Sequence, residues 1–191
     1  MDRTDAALAR LLAALDVAGL ARPAPGCAAA VRRAERAAAP RSLPRSLARL
    51  WGAVALETAP VDLYPRFCSV DDAIALRRRG AVPAAFLPIA AERQVYLLVE
   101  LDGAAGPGGS VFEWGSRGCP FSLRHHGLAE LLEVVAALLA TRAYELRDGV
   151  ADLDGDRYHA LVERRLAGGH PVYGRDVDFG PALDLPARWA A

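Results

Sequence analysis

Leu8, Leu11, Leu12 and Leu15 recur at i, i+3, i+4 and i+7, the spacing that lines one face of a helix. Thr4 with Asp5 marks its start, and Gly19 and Pro23 mark its end. Positions 28–38, rich in Ala and Arg, predict a short second helix with weak apolar faces, packed on the body or extended as an arm. Pro44 suits the first turn of a third helix, which sets Leu47, Leu50, Trp51 and Val54 on one face; Gly52 near its end permits a tight exit. Ser69 caps a fourth. Asp71 and Asp72 fall in its first turn, Arg77, Arg78 and Arg79 in its last, and Gly80 follows, so every charge complements the helix dipole.

The pattern then turns to β structure. Apolar, aromatic-rich runs at 85–90 and 94–101, split by Ala91-Glu92-Arg93, predict a hairpin. A glycine-rich loop covers 102–109, a further strand 110–114, and another is expected at 120–124. Leu128, Leu131, Leu132, Val135, Leu138 and Leu139 form the strongest amphipathic helix of the chain, ending near Arg142. From about Leu146 the chain reads as a tail. Asp154 or Asp156 caps a helix over 157–166, Gly168-Gly169 closes it, and 171–191 is irregular, with Trp189 docking on the body.

The 191 residues suit one domain with extensions, or at most two small ones, and 53% hydrophobic content argues against global disorder. Every basic side chain is Arg, with no Lys and no Asn. With so much Ala and Gly, this reads first as GC-rich coding bias and second as nucleic-acid binding. Twenty-three acids balance 23 bases, so no net field steers the chain to a polyanion. Charge is uneven: residues 1–50 carry nine Arg against four acids, and 148–191 carry five against eight. Cys27, Cys68 and Cys119 are few, odd in number and far apart, which argues against a disulfide framework or zinc site and for free cytosolic thiols. No stretch approaches the length of a membrane span, and the acids of Met1-Asp2-Arg3-Thr4-Asp5 are unlike a signal peptide. A cytoplasmic location, no membrane partner and no cofactor are expected.

Candidate chemistry is sparse. Asp152, Asp154, Asp156 and Glu163 match positions 1, 3, 5 and 12 of a calcium loop, but position 6 is Arg157 where the turn needs Gly, so helix capping is the favoured reading. His125 and His126, adjacent on a strand, face opposite ways and do not easily share a metal. One of them could be a general base, with Ser122 and Cys119 nearby in sequence; a polar rim before a helix is the favoured reading. The loop 102–109 lacks the Lys-Ser/Thr ending of a phosphate cradle. The Arg77–Arg79 run reads as dipole compensation and secondarily as a contact for phosphate or an acidic partner. Trp51, Trp114 and Trp189 are core or interface anchors. Alternation sends Phe112 and Trp114 to one face, the core or a binding groove.

Over 43–140 the order of elements resembles the SUKH superfamily, named for the yeast Smi and Knr cell-wall synthesis regulators. The resemblance is carried by Leu43-Pro44-Arg45-Ser46-Leu47, Trp51-Gly52, Phe86-Leu87-Pro88-Ile89, Val95-Tyr96, Val111-Phe112-Glu113-Trp114 and the Leu-rich helix from Gly127 to Leu132. It covers about half of the chain. Trp51-Gly52 stands where that family often has Asn-Gly, and the first forty residues and the tail lie outside the pattern. The resemblance implies a single α+β domain, a twisted, largely antiparallel sheet flanked by helices. Its body would span 43–145, with an N-terminal helical extension (1–42) and a C-terminal helix and tail (146–191) packed on it. It further implies no enzyme but an immunity protein that neutralises a cognate secreted toxin, a nuclease or deaminase, by stoichiometric occlusion. The alternatives are a regulatory scaffold with an endogenous partner and a small hydrolase using His125 or His126. Trp51, Arg77, Arg78, Arg79, Trp114, His125 and His126 are the candidate partner contacts, on a monomer or weak dimer that does not touch nucleic acid directly.

Overall fold

The computed structural model describes residues 2–63, 65–102, 109–115 and 122–166. Cys119, Gly168, Gly169, Trp189, the first two positions of the strand expected at 120–124 and most of the glycine-rich loop lie outside the described residues. The described chain is α+β. Its helices are α1 (Arg3–Val17), α2 (Ala28–Ala38), α3 (Arg45–Ala53), α4 (Val70–Arg78), α5 (Leu128–Ala140) and α6 (Gly155–Leu166). Its strands are β1 (Val61–Asp62), β2 (Phe86–Glu92), β3 (Val95–Glu100), β4 (Val111–Gly115), β5 (Ser122–His125), β6 (Tyr144–Arg147) and β7 (Val150–Leu153).

The helix boundaries follow from local chemistry. Asp2, rather than Thr4, caps α1 by accepting the Thr4 N–H at 2.9 Å. Pro44 stands just before the first residue of α3, where its missing N–H costs nothing. Ser69 caps α4 through the Asp72 N–H at 3.1 Å, and Gly80 leaves that helix at φ +70. Asp154 accepts from the Arg157 N–H at 3.0 Å and opens α6, the capping reading of the acidic run. Asp152 lies instead in β7, and among the described residues no group of three potential ligands gathers for a metal.

Strands β2-β3-β4-β5 form an antiparallel four-stranded sheet in sequence order. Leu98 and Phe112 face one side and Leu97, Val99 and Val111 the other, and all are buried. Phe86 meets Phe112 edge to face, centroids 5.6 Å apart. A second, three-stranded sheet runs β1-β7-β6, with β1 parallel to β7 and β6 antiparallel to it. The expected boundary at 146 falls inside β6. The 144–153 hairpin escapes a hydrophobic reading because its outer strand is mostly polar and exposed.

The N-terminal helices belong to the same core. Ala7, Leu8, Leu11 and Leu15 of α1 lie in one buried cluster that runs through to Val162 and Leu166 of α6. Glu133 of α5 takes Arg10 at 3.1 Å, Arg165 at 3.0 Å and Arg3 at 3.6 Å, joining α1, α5 and α6. Gly26 lies so close to α3 that a Cβ there would strike the Trp51 carbonyl and stand 2.6 Å from the Gly52 carbonyl carbon. Helix α2 is pinned rather than loose. Arg33 makes a two-pronged bond with Asp71, both contacts 2.9 Å. Arg77 donates to the carbonyls of Ala37, of Ala38 at 3.3 Å and of Ala84 at 2.8 Å. Burial, with Arg41 adding to it, pulls the Arg77 pKa below its usual value, and the carbonyls that accept from it keep the guanidinium charged. Replacing Arg77 by Ala should therefore cost about 2 kcal/mol in urea unfolding. Lys should restore less than half of that, because a point ammonium cannot span the same carbonyls.

Candidate protein-binding face

The sheet's apolar stripe reaches the surface at one end. Tyr96 of β3 sits opposite Trp114 of β4, one step beyond the buried Leu98–Phe112 pair, so all four share a face. The two outer rings stack at 5.7 Å between centroids and 28° between planes, and both are half-buried.

Tyr96 also borders a cleft of about 410 Å³ between α4 and the β2–β3 hairpin. Phe67, Cys68 and Leu76 supply its apolar lining, and Asp72, Arg79, Glu92 and Arg93 its charge. Arg79 is held there as the residue that ends α4, and Arg93 as the hairpin tip, at φ 54. Both are exposed, and among the described residues neither is paired with a carboxylate. One Glu92 carboxylate oxygen is buried without a hydrogen bond. Burial pushes the Cys68 thiol up to about 12, so it remains protonated and inert near neutral pH. The result is an aromatic platform beside two available guanidinium forks, a surface that grips carboxylates and planar groups.

The expected contact residues divide. Trp114, Arg78, Arg79 and His126 reach the surface; Arg79 lines the cleft, and Trp114 adjoins it through its stack on Tyr96. Trp51 of α3 is 2% exposed in the core, and Arg77 is engaged with backbone carbonyls. Neither is free to anchor a partner. His125 is fully buried, and its Nε2 lies 2.9 Å from the Tyr158 hydroxyl of α6. Desolvation, reinforced by Arg124, Arg165 and His126, drives its pKa down to about 3. The Tyr158 hydroxyl is raised, mainly by the same burial. Near neutral pH both groups are uncharged and sealed, a geometry of core packing. His126, one residue past the end of β5, is exposed, and its backbone N–H donates to Glu130 at 2.8 Å.

Arg93 and Tyr96 are the residues of this face that sequence reasoning passed over. Their signal was the hairpin itself, but which side chains meet depends on strand register, which periodicity alone does not fix. Cys27 is a free, exposed thiol. It stands at the start of α2, where the backbone N–H groups of Ala30 and Ala29 lower its pKa.

The chain matches no protein-family model and no curated protein. No described helix is long and apolar enough to cross a membrane.

Proposed function

We propose that this protein works by binding: it neutralises a cognate protein toxin by covering it, one to one, through the Arg79–Arg93–Tyr96–Trp114 face. The reading follows the SUKH resemblance in the sequence. The observation that carries it is the half-exposed Tyr96–Trp114 stack beside two arginines that no carboxylate of the described residues pairs, since aromatic and arginine side chains dominate the energy of protein interfaces. Such a face suits a partner segment that offers carboxylates next to an apolar side chain. A binding rather than catalytic role is supported by His125, whose burial removes it from any substrate.

The full chain, tagged and used as bait in its source cells, should enrich one polypeptide carrying a toxin domain. Bait with Arg79→Glu and Arg93→Glu should not. Enrichment of a housekeeping protein, lost with the same variant, would move the reading to a regulatory scaffold. Equal enrichment by both baits, or none by either, would overturn the proposed face.

A further inference from the structure

The outer edge of the second sheet carries an unused interface. Among the described residues β6 bonds to β7 on one side and to nothing on the other. Its Tyr144 and Leu146 share a side with buried Ala151 and Leu153. Leu146 is 58% exposed and Val17, at the end of α1, is 87% exposed; they are the two large hydrophobic side chains left open on the described surface. They border one groove of about 410 Å³ together with Leu139 and Tyr144. An open strand edge beside an open apolar groove is a template for another strand.

Backbone geometry says which groups are on offer. Asp148 and Gly149, at φ 51 and 79, form a two-residue turn of the kind that closes a hairpin with a hydrogen-bonded pair, here Arg147 with Val150. Alternation then directs the N–H and C=O of Arg147 and Glu145 toward β7, and those of Leu146 and Tyr144 outward. Charge selects the occupant. If a second β6 lies antiparallel about a two-fold axis at Leu146, the two Leu146 residues form the outward hydrogen-bonded pair. Glu145 of each copy then faces Arg147 of the other. Shifting the axis to Glu145 sets Glu145 against itself, and shifting it to Arg147 does the same for arginine. Within one chain Glu145 and Arg147 already lie on the opposite side of the strand from Leu146, 3.0 Å apart. The charged side is therefore self-complementary in one register and repulsive in its neighbours.

We propose that a second copy of this chain pairs along β6, antiparallel and centred on Leu146, joining two three-stranded sheets into one of six strands. The Val17–Leu146 grooves of both copies lie along the seam and close over it. This dimer is independent of the toxin-binding reading.

Sedimentation of the full chain over a concentration series tests it. The wild type should associate to a dimer. Glu145→Arg and Arg147→Glu should each weaken the dimer by about tenfold, because each sets like charges opposite one another. An equimolar mixture of the two single variants should recover association as a heterodimer, and so should the double variant E145R/R147E with itself. Loss through misfolding cannot produce the recovery on mixing, because each single variant keeps its own intrachain like-charge pair. A wild-type chain that stays monomeric throughout, as it would if another segment occupied the edge, overturns the proposal. So does a dimer that neither reversal weakens, or single variants that fail to recover on mixing while their thermal midpoints match the wild type.

Discussion

Replacing Trp114 by Ala is expected to weaken partner binding by about a hundredfold, roughly 2.7 kcal/mol, with little change in the fold. Trp114 packs at the margin of the core and stacks on Tyr96, at the end of the stripe where both rings are half-exposed. A partner that caps the stack buries its outer face and excludes water from the neighbouring Arg79 and Arg93 forks. Calorimetric titration of the captured partner should show the loss in affinity, and a thermal melt should show a midpoint within a few degrees of wild type. Arg93→Glu should weaken binding by about tenfold and lower its salt dependence, since the arginine acts on exposed charge. If Trp114→Ala binds like wild type, the aromatic platform is not the contact.

The second large effect concerns acid stability. His125 in the folded chain takes a proton only near pH 3, against 6.5 in the unfolded chain. Between these values the unfolded chain binds a proton that the native chain refuses. The stability associated with neutral His125 is therefore intact above about pH 6.5 and falls as pH drops toward 3, by about 1.4 kcal/mol per unit. At pH 4 the accumulated loss is about 3 kcal/mol, a large part of an ordinary domain's stability. His125→Gln keeps a hydrogen-bonding group for Tyr158 but cannot titrate, so its denaturant midpoint should fall less steeply over this window. Carboxylates titrate in both proteins, so the difference between the two slopes isolates the histidine. Equal slopes would mean that His125 is protonated in the native chain.

Much of the fold could be read directly from the chain. The leucines of α1 and α5, the Ser69 cap and the dipole-matched charges of α4 announce themselves, because helix signals are local and repeat within one element. The β2–β3 hairpin was equally plain from its apolar runs. The 144–153 hairpin was not, because Glu145, Leu146 and Arg147 are exposed and β1 is a two-residue strand. The candidate face was only half legible. Trp114 and Arg79 were candidates by residue type, but so were Trp51 and His125, which tertiary packing buries. The structural use of Arg77 was hidden for a different reason. Its carbonyl partners lie about forty residues earlier, in α2, and in the turn before β2. Arg93 and Tyr96 gain meaning only when register sets Tyr96 opposite Trp114 and α4 closes the cleft.

Titrating the captured toxin's activity against this protein separates stoichiometric neutralisation from every other mode of action. Activity should fall linearly to zero at one chain per toxin and return when the complex is dissociated. Activity that persists at several-fold excess, or that is destroyed by far less than one equivalent, would contradict it; the latter would mark the protein as an enzyme acting on the toxin.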